Sequence, residues 1–295
     1  MMFADRLIEA VRAKQTPLCV GLDPFAEKIP ALFGDAREEI AAIERFGEAV
    51  VSLAAQHAGV FKPQLGLFEP YGPDGVRVAQ EIVSEARALG MVVILDAKRG
   101  DIGTTAEGYA RASFGQAPGF DADCVTVNPY LGADSIEPFL ARAERDAKGV
   151  AVLVRTSNPG ARDLQDLDCS GAPLWRRTAE MLAAQTGRLK GRSGWSGLMA
   201  VAGATYPEEA RALRQTLPDA LFLVPGYGAQ GASAADAVAG FTMTPRGREG
   251  GVVNSSRGVT YPQGAQHAAT LDAWREIVST AMAGAAAELR AACNA

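Results

Sequence analysis

Short apolar runs ending in Gly, Pro, Asp or Asn recur through the chain, separated by amphipathic stretches with helical spacing. Eight such runs stand out: Leu18 to Leu22, Gly59 to Lys62, Met91 to Leu95, Cys124 to Val127, Val150 to Val154, Gly197 to Ala202, Leu221 to Val224 and Gly251 to Val253. The segments Glu38 to His57, Asp74 to Leu89, Ser135 to Arg145, Leu174 to Gln185 and Pro207 to Thr216 repeat apolar residues at the helical period. This alternation predicts an α/β chain built on a parallel sheet with crossover helices.

Eight strand-helix units in 295 residues match the size of a (β/α)8 TIM barrel, with an open doubly wound sheet as the competitor. No low-complexity linker interrupts the series, so the predicted organisation is a single barrel domain over residues 1–295. The stretch Asn158 to Gly171, rich in Asp, Gly and Ser, is longer than an ordinary connection and would hang over the strand ends. It defines a candidate lid at 156–172, and a second is expected at 225–250.

Composition narrows the field. The net charge of -5 and the absence of a Lys/Arg run argue against a nucleic-acid partner, while leaving room for a small anionic ligand that needs only a local cluster. The four cysteines are scattered without a CxxC pair, which predicts neither a disulfide framework nor a zinc site and fits a reducing cytoplasm. Residues Met1 to Arg6 lack the basic-then-apolar order of a signal peptide, and no apolar run reaches membrane-spanning length. The expectation is therefore a cytoplasmic protein with no membrane partner.

In barrels of this kind the active site is built at the carboxyl ends of the strands. Those ends are strongly polar here: Asp23 after the first run, Lys62 at the second, Asp96, Lys98 and Asp101 at the third, Asn128 at the fourth, Arg155 to Asn158 at the fifth, and Asn254 to Gly258 at the last. Taken singly each has a bland role, Asp23 as a turn former before proline, Lys62 as a solvated strand end, Asn128 as an Asx-turn. Together they put acid and base alternately around one mouth, where neighbouring carboxylates keep both ammonium groups charged. A substrate carboxylate entering that mouth would be repelled by Asp96. The carbanion left after its departure as carbon dioxide would be stabilised and protonated by Lys98.

The segment Pro225-Gly226-Tyr227-Gly228-Ala229-Gln230-Gly231 follows the seventh run and Arg257-Gly258 the eighth, the two loops that commonly form a phosphate site in this fold. Backbone N–H groups near glycine and a guanidinium fork suit a monophosphate. Gly226, Gly228 and Gly231 also spell GxGxxG, but no acidic residue ends the next strand to hold a ribose, so a dinucleotide site is the weaker reading. The two histidines, His57 and His267, fall in helical stretches away from every strand end, which disfavours Ser-His or His-metal chemistry.

At these residues the chain resembles the orotidine 5′-phosphate decarboxylase family, in particular its longer bacterial branch. The most specific match is Leu95-Asp96-Ala97-Lys98-Arg99-Gly100-Asp101-Ile102-Gly103-Thr104-Thr105, which is similar to the family's D-x-K-x-x-D-I-x-x-T signature. The resemblance implies decarboxylation of orotidine monophosphate to UMP, with Lys62, Asp96, Lys98 and Asp101 as the charged catalytic array and Lys98 as proton donor to C6. It implies a homodimer in which Asp101, with Ile102 and Thr105, reaches the neighbouring subunit's site. It also implies that Asp23 holds the ribose, that Ser157 contacts the pyrimidine edge, that Pro225 to Gln230 close over base and phosphate, and that Arg257, beside Gly258, binds the phosphate. No metal or organic cofactor is implied. The chain departs from compact members of the family after Asn158 and over Thr242 to Gly250. The rivals are a Mg²⁺-dependent sugar-phosphate decarboxylase or lyase of the same barrel group, and a non-catalytic nucleotide-binding barrel.

Overall fold

The computed structural model describes residues 1–228 and 231–295. Its strands are β1 (Leu18–Leu22), β2 (Val60–Pro63), β3 (Val92–Arg99), β4 (Cys124–Val127), β5 (Gly149–Arg155), β6 (Ser196–Ala202), β7 (Ala220–Val224), β8 (Thr242–Thr244), β9 (Gly247–Glu249) and β10 (Gly251–Ser255). All but β8 and β9 pair in parallel and close into a barrel in the spatial order β1-β10-β7-β6-β5-β4-β3-β2. The closed barrel, not the open sheet, is the outcome.

Side-chain alternation along each strand sorts the apolar residues into two cores. Leu18, Val20 and Leu22 of β1, Val93 and Leu95 of β3, and Val150, Val152 and Val154 of β5 face the surrounding helices. Their alternate neighbours Cys19, Val60, Val92, Ile94, Cys124, Ala151, Met199, Leu221 and Val252 fill the barrel interior. Packed layers of this kind make the interior a core rather than a pore.

The floor of the barrel is closed by a helix that the periodicity survey above does not include, Phe3–Lys14. Phe3, Leu7 and Ile8 are fully buried and join the interior core. A methyl group on Gly149, at the start of β5, would lie 2.4 Å from the Phe3 ring, so glycine is required there by close approach.

The hairpin β8–β9 lies at this same end. Arg12 of the floor helix donates to Glu249 at 2.7 and 2.8 Å, and Gly247 sits against the Cys293 carbonyl of the long helix Leu271–Asn294. Residues 242–250 are therefore not part of a lid over the mouth: they lead into the amino end of β10, and a strand entering a parallel barrel begins at the floor. Within the stretch 156–172 the chain folds into the short helix Ala161–Gln165, and residues between Thr156 and Gln165 line the cavity.

Candidate active site

The alternation that fills the interior also decides which side chains reach the mouth. Counting up by twos from Cys19, Val60, Ile94, Cys124 and Val252 arrives at Asp23, at Lys62 and Gln64, at Asp96 and Lys98, at Thr126 and Asn128, and at Asn254 and Ser256. All of these line one cavity of about 980 Å³. Ser157, Pro225 and Arg257 line it too.

At its base lies the charged array. Lys62 Nζ donates to Asp96 Oδ2 at 2.6 Å, and Lys98 Nζ donates to Asp96 Oδ1 at 2.6 Å. Lys62 is almost wholly buried (5% exposed), whereas Lys98 is half open to the cavity (46%). Burial alone would push the Asp96 carboxyl up, but the two ammonium groups outweigh it and hold it well below the usual carboxylate range. Burial likewise works against the Lys62 ammonium, and Asp96 with Asp23 more than compensates, so its pKa is raised. Asp96 and Lys62 thus hold each other in their charged forms. The Gln64 amide completes it: turned as its partners dictate, it donates to the Asp96 main-chain carbonyl at 2.5 Å and accepts from Lys98 Nζ at 3.3 Å.

Lys98 reaches back to Asp96 because β3 does not run straight. Leu95 is paired with Val125 and Arg99 with Val127, so β3 spends four residues where β4 spends two. Lys98 lies within this bulge with φ of +46°, a left-handed conformation uncommon for a side chain other than Gly or Asn.

Asp23 leaves the end of β1 beside Gly21, where a Cβ would strike Ser256 Oγ at 2.0 Å, so the close approach of β1 and β10 requires glycine. The Asp23 main-chain carbonyl accepts from the Tyr261 hydroxyl at 2.8 Å, while its carboxylate Oδ1 is buried without a partner among the described residues. Asn254 Oδ1 is in the same condition. Two buried acceptors without donors at one mouth suit a ligand that brings hydroxyl groups.

On the opposite rim the β5 strand also breaks register, between Leu153 and Arg155, and turns Arg155 out of the barrel. Arg155 is buried, pairs with Asp166 at 2.8 Å and with Glu209, and stacks on Tyr206 with its guanidinium 4.1 Å from the ring centroid. Gln165 accepts from the Thr156 N–H at 3.0 Å and donates to its hydroxyl at 2.8 Å. Ser157 therefore follows directly on two pinned residues.

Pro225, Gly226 and Tyr227 continue from β7 into the cavity wall, with Gly226 at φ of +102°, outside the range of other residues. The GxGxxG stretch leads into the four-residue helix Ala234–Ala237, capped by Ser233 and Asp236, rather than opening a long helix onto a pyrophosphate. Gln230 lies outside the described residues. Arg257 opens the short helix Arg257–Thr260, is exposed, and enters no ion pair among the described residues. Gly258 is exposed beside it and does not line the cavity.

Asp101, Ile102 and Thr105 stand apart. None lines the cavity of its own chain. Asp101 Oδ1 accepts from the Ile102 N–H at 2.8 Å, at the start of the helix Gly103–Phe114, and Ile102 is 56% exposed. Among the described residues no group of three or more His, Cys, Asp or Glu is placed to hold a metal ion, and no helix is long and apolar enough to cross a membrane. The survey of strand ends passes over Thr126 as a site residue, although the two-residue period from Cys124 was sufficient to find it.

The chain is 40% identical over 271 residues to the orotidine 5′-phosphate decarboxylase of Rhodopirellula baltica, covering 88% of this chain and 89% of the relative. It is 42% identical over 266 residues to that of Haloarcula marismortui, covering 88% and 87%. The structure of Leishmania donovani OMP decarboxylase superposes with a TM-score of 0.77 at 32% identity, covering both chains in full. The model of the orotidine 5′-phosphate decarboxylase / HUMPS family matches residues 16–271, and the chain belongs to that family.

Proposed function

We propose that the protein decarboxylates orotidine 5′-monophosphate to UMP, the step that completes a pyrimidine nucleotide, without metal or organic cofactor. The observation that carries this reading is the Asp96 carboxylate with one ammonium on each oxygen, at the base of a cavity whose rim holds Arg257. The phosphate is gripped at the rim by Arg257, next to Gly258, and by the turn from Pro225 towards Gln230. Asp23 takes the ribose and Ser157 the pyrimidine edge. The scissile carboxylate then faces Asp96, whose charge disfavours it. As the C6–carboxyl bond breaks, carbon dioxide leaves, the electron pair stays on C6 beside the Lys98 ammonium, and Lys98 Nζ delivers the proton that makes UMP. Binding energy from the remote phosphate offsets the cost of placing like charges together.

Both oxygens of Asp96 are engaged by ammonium groups, so a divalent cation would find no free carboxylate there and two positive charges in its way, which supports a metal-free reaction over the Mg²⁺-dependent one. The exposed Ile102, with Asp101 and Thr105 turned from their own cavity, supports a homodimer in which these residues complete the partner's site. Four unpaired cysteines support a cytoplasmic setting. The test is loss of orotidine monophosphate followed by ultraviolet absorbance with and without EDTA. Turnover unaffected by chelator is expected. Loss of activity in EDTA would favour the metal-dependent lyase, and tight UMP binding without carbon dioxide release a nucleotide sensor.

A further inference from the structure

The array depends on a distorted stretch of backbone, and one side chain occupies the distortion. Thr126 faces inward from β4 and is 1% exposed. Its hydroxyl donates to Asp96 Oδ1 at 2.9 Å and accepts from the N–H groups of Ala97 at 3.0 Å and Lys98 at 2.8 Å. A hydroxyl has one proton and two lone pairs. The carboxylate can only accept and the amides can only donate, so the assignment is unique and every bonding capacity is used.

These two amides belong to the β3 bulge, where four residues pass two of β4 and the ordinary ladder is interrupted. The hydroxyl takes the place of the missing ladder acceptor. It thereby ties the left-handed backbone of Lys98 to the carboxylate that the Lys98 ammonium must touch. One oxygen atom thus joins the main chain beneath the proton donor to the side chain that orients it.

We propose that Thr126 is a positioning residue for the reaction: it holds the β3 bulge in the conformation that keeps Lys98 Nζ on Asp96 and aimed at the reacting carbon. The proposal rests on the decarboxylation reading for its kinetic consequence, but not for its geometric one. Thr126→Val keeps shape and burial and removes the hydroxyl, whereas Thr126→Ser keeps the hydroxyl. For the valine variant we expect kcat to fall about 100-fold, the scale of an ångström-sized misplacement, with KM little changed. The serine variant should stay near the unsubstituted enzyme. If the valine variant fails to fold, Thr126→Ala against Thr126→Ser makes the same comparison. Unchanged kcat in the hydroxyl-free variant, kcat and KM failing together, or no recovery with serine would overturn the proposal. Crystal structures of the two variants decide it independently of substrate: without the hydroxyl the Lys98 ammonium should leave hydrogen-bond distance of Asp96, and retention of that contact would refute the role. An inactive parent enzyme would sink the decarboxylase reading and leave this structural comparison standing.

Discussion

Lys62 and Lys98 touch the same carboxylate at the same distance, yet their removal should have opposite signatures. Lys62 is buried, so Lys62→Ala strands part of a buried negative charge and should cost about 3–5 kcal/mol of stability in urea unfolding. Lys98 is half exposed, so Lys98→Ala should cost under about 1 kcal/mol while abolishing turnover. Circular dichroism beside a decarboxylation assay separates the two. The Asp96 carboxyl is held below its ordinary value, so its contribution to stability is complete above about pH 4 and is lost as pH falls towards the depressed folded value. Acid unfolding of Asp96→Asn should accordingly be flatter than that of the parent over that range. Asp96 and Lys98 were legible because charges directly behind an apolar run demand an explanation. The two-residue period put Thr126 on the inner face, but its part in the array was not legible, because nothing within Cys124–Val127 signals the bulge opposite it.

The strands were the easier elements to recognise, since each buried run is bounded by polar or turn-forming residues, but two register breaks could not be anticipated. They extend β3 to Arg99 and β5 to Arg155, give Lys98 its left-handed backbone and swing Arg155 outward, and no local propensity marks either one. The floor helix has a signal, Phe3, Leu7, Ile8 and Val11 on one helical face, although its target inside the barrel has none. Phe3→Ala should cost about 3–5 kcal/mol, because the barrel around Gly149 cannot collapse onto the vacated space, and denaturant unfolding would show it. At the other end, Arg257 opens a helix of four residues and is fixed by no ion pair among the described residues. Arg257→Ala should therefore leave stability within about 0.5 kcal/mol and raise KM for a phosphorylated substrate. An unchanged KM would remove the phosphate assignment.

For the molecule as a whole, eight strand-helix units and one mouth were evident from the chain, whereas the allocation of Thr242 to Glu249 to the floor followed only from the direction in which β10 enters the barrel. The proposed dimer predicts complementation. Lys98→Ala and Asp101→Ala variants, each inactive alone, should regain activity when mixed and allowed to exchange subunits, because one mixed site then carries both native residues. No recovery, together with a monomer in sedimentation, would place Asp101 outside the reaction. The plug formed by Phe3, Leu7 and Ile8 has a further consequence for traffic. With the far end of the barrel stopped by side chains, nucleotide, carbon dioxide and the water that recharges the lysine share a single doorway, so the order in which they pass is governed at the rim.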